Sequence, residues 1–110
     1  MTAEIATIGG RKVERVNPFH ARDLSMDFDT LVERAVELEA HSCADLRRHL
    51  LTYETEIPPA WEDSWIVFTG EVWDSNAAYI SPVSRGQWSS GMIPCSSQFM
   101  YDFRLVRFAD

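Results

Sequence analysis

The chain has 110 residues, 45% hydrophobic and 25% charged, the balance of an ordinary globular protein, and at this length one domain is the default. Its formal net charge is −7 and its basic residues are scattered rather than gathered on one face, so direct binding of DNA or RNA is disfavoured. No apolar run reaches the about 18 residues that a membrane-spanning helix needs. Met1-Thr-Ala-Glu lacks the basic start of a secretion signal, so the expectation is a cytoplasmic protein with Cys43 and Cys95 reduced.

In chain order, residues 4–16 read as a hairpin: Ile5, Thr7, Val13 and Val16 favour strands and Gly9-Gly10 supplies the turn. Residues 27–40 read as a helix, because Phe28, Leu31, Val32, Ala35 and Val36 form one apolar stripe and Asp27 or Asp29 can cap its start. A second helix is expected from Ser42, where Ser42-Cys-Ala-Asp45 has capping-box spacing; Cys43, Leu46, Leu50 and Tyr53 share its stripe, and Pro58-Pro59 stops it. Residues 64–73 alternate as a strand, with Ile66, Phe68 and Val72 on one side and Trp65, Val67, Thr69, Glu71 and Trp73 on the other. Residues 77–80 read as a short partner strand and 99–108 as the clearest strand of the chain. Between them, the serine-, glycine- and proline-rich residues 81–97 read as a long loop bearing Arg85, Gln87 and Trp88, either functional or holding one short strand near Gln87-Trp88. The order of elements predicts a single α+β domain over residues 1–110: a small antiparallel sheet with two helices packed on one face.

The stretch 51–84 contains no lysine or arginine but six acids, Glu54, Glu56, Glu62, Asp63, Glu71 and Asp74, together with Trp61, Trp65 and Trp73. One sign of charge combined with large rigid contact groups suits a basic protein surface and repels phosphate. Arg85, Gln87 and Trp88 extend this candidate surface into the following loop.

The motifs of catalysis are weak. His41-Ser-Cys43 with Pro94-Cys95 resembles the zinc deaminase pattern H-x-E then P-C-x-x-C, but Cys43 stands where the catalytic glutamate belongs and Gln98 where the second cysteine ligand belongs. His41, Cys43 and His49 do not share a helix face and lack the paired spacing of a zinc site. Cys95 has no nearby base in sequence, no G-x-S-x-G or P-loop is present, and the pairs Glu54/Glu56 and Glu62/Asp63 read as solvated acids.

The leading expectation is therefore a small, acidic, non-catalytic protein-binding module without cofactor or metal. Its partner would be a basic protein or a nucleic-acid-binding protein complex. In its most specific form it is an inhibitor, of the anti-defence kind carried by phages and mobile elements, that blocks the partner's nucleic-acid-binding surface. Two alternatives stay open: a ligand-binding domain or small enzyme with a pocket of Trp65, Trp73, Trp88 and Tyr101 and a histidine or Cys95 as reactive group, and a homodimer or larger homo-oligomer whose aromatics form the self-interface.

Overall fold

A computed structural model describes residues 4–110; Met1, Thr2 and Ala3, the start of the stretch that bears on a secretion signal, lie outside the described residues. The expected hairpin forms as β1 (Glu4–Ile8) and β2 (Arg11–Val16), with Ile8 opposite Arg11. Gly9 and Gly10 turn the chain at φ 59° and 79°, backbone that other residues enter only at about 1–2 kcal/mol. Gly9 is required twice over, since a Cβ there would lie 2.3 Å from the Tyr53 ring.

A two-residue strand, β3 (Ser25–Met26), leads into α1 (Phe28–Glu37). Asp27 caps α1 by accepting the Thr30 N–H at 2.9 Å, and Leu31 and Ala35 are its buried stripe. The second helix, α2 (Ala44–Thr52), starts later than its sequence suggests: Cys43 is the N-cap residue and no side chain caps the helix, so the Ser42-to-Asp45 capping box does not form. The Ser42 carbonyl instead accepts the Gly70 N–H at 2.7 Å. Leu46 and Leu50 are buried, whereas Cys43 is exposed and Tyr53 half-exposed. Beyond α2 the chain makes two short 3-10 turns, Glu54–Glu56 and Pro59–Asp63, the second opened by Pro58-Pro59.

Four further strands build the sheet: β4 (Trp65–Trp73), β5 (Asn76–Ser84), β6 (Gln87–Pro94) and, after the two-residue β7 (Phe99–Met100), β8 (Phe103–Phe108). The order is β1-β2-β8-β4-β5-β6, with β3 paired to β7 apart from it. The α+β class holds, but the sheet has six strands and is not small. Nor is it wholly antiparallel, because β4 and β8 run parallel, Trp65 beside Phe103.

The helices do not share one face of the sheet. Leu46 and Leu50 of α2 pack with Ile66, Phe68, Ala78, Ile80, Trp88 and Val106. Leu31 and Ala35 of α1 pack with Val67, Ala77, Phe103 and Leu105 on the opposite face. The physical reason lies in the run Ile66-Val67-Phe68, fully buried without a polar break: a strand apolar on both sides needs a cover on both.

Two other expectations are corrected. Residues 81–97 are not an irregular loop; β5 continues to Ser84, Gly86 at φ 75° closes a turn, and β6 returns alongside. Residues 99–108 are not one strand, since exposed Tyr101 and Asp102 form a turn between β7 and β8. No helix among the described residues is long and apolar enough to cross a membrane.

Candidate partner-binding surface

The acids of residues 54–63 lie at the surface but accept hydrogen bonds from the fold's own backbone and from Arg15. Glu54 accepts the Trp88 N–H at 3.2 Å, Glu56 the Gly9 N–H at 2.9 Å and Glu62 the Gly86 N–H at 3.2 Å, so each pins a hairpin. Asp63 accepts from Arg15 at 2.6 Å. Arg15 is itself only 7% exposed; it also grips Glu4 through two bonds of 2.7 Å and reaches Ser64 Oγ at 2.7 Å and the Trp61 carbonyl at 3.4 Å. The hydrogen bond from Arg15 holds the Asp63 carboxyl below the usual carboxylate range. Trp61, expected as a surface anchor, is 2% exposed and part of the core.

The far end of β4 is different. Glu71 is matched by a two-pronged contact with Arg47 at 2.6 and 2.9 Å. Beyond it, Trp73 is 78% exposed, with Val72 and Met92 about half exposed. Trp73, Val72, Met92, Glu71, Gly70, Ala44 and Cys43 line an open groove of about 490 Å³. The turn that carries Trp73 holds Asp74 and Ser75 at φ 52° and 61°, a left-handed pair that suits a two-residue hairpin but strains residues other than glycine. Among the described residues Asp74 has no cationic partner.

The remaining candidates are dispersed. Trp65 sits at the opposite end of β4 from Trp73, roughly 25 Å away at strand rise. It stacks on Tyr79 with centroids 4.9 Å apart and meets Phe103 edge-on at 5.6 Å, which leaves it 38% exposed. Trp88 is 6% exposed in the core on the α2 side, its Nε1 without a hydrogen-bond partner. Arg85 and Gln87 are exposed at the β5–β6 turn. Hence Trp65, Trp73, Trp88 and Tyr101 do not line a common pocket. Tyr101 belongs to another groove, with Leu24, Phe19 and Arg104.

The reactive side chains do not converge either. His49 bonds the Ile8 carbonyl at 2.7 Å and His41 bonds Thr69 Oγ1 at 2.8 Å. Both cysteines are free thiols, and burial pushes the Cys95 thiol above its ordinary range, which weakens it as a nucleophile. No cluster of three His, Cys, Asp or Glu side chains among the described residues could hold a metal ion. Sequence reasoning missed Met92 and Ser90. The Arg85-Gly86 turn signal, with Trp88 and Met92 four apart in an otherwise small-residue run, is the feature that marks their strand.

Comparison with known proteins gives no match: no family model, curated protein or solved structure is recognisably similar to this chain.

Proposed function

We propose that the chain is a non-catalytic protein-binding module that docks its β4–β5 end on a basic surface of a partner protein. The observation that carries the reading is Trp73, 78% exposed beside half-exposed Val72 and Met92, on a turn whose Asp74 has no cationic partner among the described residues. An exposed aromatic anchor with apolar neighbours is the usual centre of a binding surface, and a bare carboxylate beside it selects for cations. The wider field agrees in sign. The net charge is −7, and Arg11, Arg15, Arg34, Arg47, Arg48 and Arg107 are each turned to a carboxylate of the chain itself.

The specific form of the proposal is an inhibitor. A compact acidic surface with one aromatic anchor competes with phosphate for the groove by which a nucleic-acid-handling protein holds its ligand, and does so without chemistry of its own. The alternative of a small enzyme has no comparable support, because the aromatic and reactive side chains it needs lie apart.

The test is capture of tagged protein and of its Trp73→Ala and Asp74→Lys variants from nuclease-treated host lysate, eluted by salt and read by mass spectrometry. The expected result is a stoichiometric basic partner released by salt from the parent chain and depleted from both variants. Recovery of the bait alone, or equal capture by Trp73→Ala, overturns the reading.

A further inference from the structure

The sheet ends at β6, whose outer edge pairs with no other strand. Two hydrogen bonds fix which of its backbone groups point outward. The Trp88 N–H donates to Glu54 at 3.2 Å, and Pro82, its register partner on β5, has no N–H to return. At the other end the Cys95 N–H donates to the Ser75 carbonyl at 2.9 Å, continuing the ladder beyond the Ala77–Ile93 pair. Bonded and non-bonded pairs alternate in an antiparallel ladder. Ser89, Gly91 and Ile93 therefore bond inward to β5, while Trp88, Ser90, Met92 and Pro94 direct their backbone groups outward.

Both ends of this edge are closed. Glu54 occupies the Trp88 N–H, Pro94 has no N–H, and its carbonyl accepts from Ser97 at 3.0 Å. What remains is a window of two rungs, Ser90 and Met92, both exposed. Edges are ordinarily guarded by lysine, proline, inward charge or a bulge on the edge strand, yet β6 carries no charge from Gln87 to Pro94. Gly91 lies between the rungs, where a Cβ would come within 2.7 Å of the Tyr79 hydroxyl. The glycine thus lets the Tyr79 phenol lie across β6 toward the open edge.

Carboxylates stand at both ends of the window. Glu54 stands at one end, and the Asp74 turn lies at the other. Arg47 reaches Ser90 Oγ at 3.4 Å, but its charge is matched by Glu71. Arg85, in the β5–β6 turn, lies beyond the Trp88 end. We infer that the Ser90–Met92 edge accepts an extended segment of a partner protein as an added strand, with basic residues flanking an apolar one; this rests on the protein-binding reading above and names its mode. A second copy is the weaker occupant. Antiparallel pairing of two β6 edges sets the Glu54 end of each against the Asp74 end of the other, between chains that each carry −7.

The test uses a synthetic peptide of alternating arginine and valine, with a glutamate–valine peptide of equal length as control. Amide hydrogen exchange is followed residue by residue by NMR. The expected result is slowed exchange at Ser90 and Met92 with the arginine peptide and not with the control. Ser90→Pro removes an outward N–H that β5 does not use and weakens binding roughly fivefold to tenfold, the worth of one backbone hydrogen bond. Ser90→Lys leaves the backbone intact and weakens it by charge repulsion. No slowing at either amide, an equal response to the glutamate peptide, or slowing in the free protein that grows with its own concentration overturns the inference. If lysate capture survives both Ser90 variants but falls with Trp73→Ala, the added-strand mode fails while the protein-binding reading stands. If it survives all three, both fail.

Discussion

Residues 54–63 and residues 71–76 carry the same chemistry, carboxylates beside a tryptophan, and the fold uses them in opposite ways. In the first region every acid meets an internal donor and Trp61 fills the core. In the second, Arg47 takes Glu71, and Asp74 and Trp73 are left to solvent. The difference comes from what lies opposite. The 3-10 turns pass over the ends of two hairpins and over Arg15, which offer N–H groups, whereas at the β4–β5 turn Trp73, Asp74 and Ser75 are exposed and no cation among the described residues pairs with Asp74. A run of acids in sequence is therefore not a surface until its internal donors have been counted.

The sharpest way to break this comparison is to truncate both tryptophans. Trp61→Ala is expected to cost about 3–5 kcal/mol in urea unfolding, as large aromatic deletions from cores do. Trp73→Ala should stay within about 0.5 kcal/mol of the parent, as exposed substitutions do. Equal losses would erase the distinction between the regions.

Arg15→Ala should follow, at about 1.5–3 kcal/mol, the range for hydrogen bonds to charged groups. The same clamp predicts acid sensitivity. Arg15 holds the Asp63 carboxyl below its ordinary value, and the His20 N–H with Arg34 does so for Asp23. Their contribution is complete above the unfolded carboxyl value of about 4 and is lost as pH falls through the lower folded values. Thermal melts between about pH 5 and 2 should show Asp63→Asn with a shallower decline than the parent.

The smallest effect sharpens the outer region. Ser75→Gly relieves a left-handed φ of 61° and should raise stability by about 0.5–1 kcal/mol. Partner capture should be unchanged, because the Trp73 and Asp74 side chains remain. A loss of capture would mean that the strained turn itself is part of the docking geometry.

The local elements were legible where the pattern was complete. Gly9-Gly10 and the Asp27 cap appear as read, and the apolar alternation of residues 64–73 forms a strand; of the stripe read for α1 only Leu31 and Ala35 are buried, and Val36 is 58% exposed. The two-sided packing was half visible in Ile66-Val67-Phe68, yet a single apolar run does not say which helix covers which side. β6 was legible only as the alternative of a short strand near Gln87-Trp88; its full extent to Pro94 was not, because Ser89, Ser90 and Gly91 interrupt any period and its pairing with β5 is decided by neighbours rather than by its own side chains. The placement of Glu54, Glu56 and Glu62 was not legible at all: each bonds an amide at least 24 residues away, a distance at which no local pattern operates.

One feature of the sheet bears on how the molecule comes to exist. β8 lies between β2 and β4, so the N-terminal hairpin and the β4–β5–β6 meander touch each other in the sheet only through it. During synthesis both halves emerge with a bare inner edge, and their pairing within the sheet must wait for residues 103–108. Val106 and Leu105 then close the two cores together, one on each face. Assembly of this kind is governed by distant pairings and is slow. The interval before β8 arrives is when the nascent chain is most exposed to pairing with the wrong strand, its own or another's.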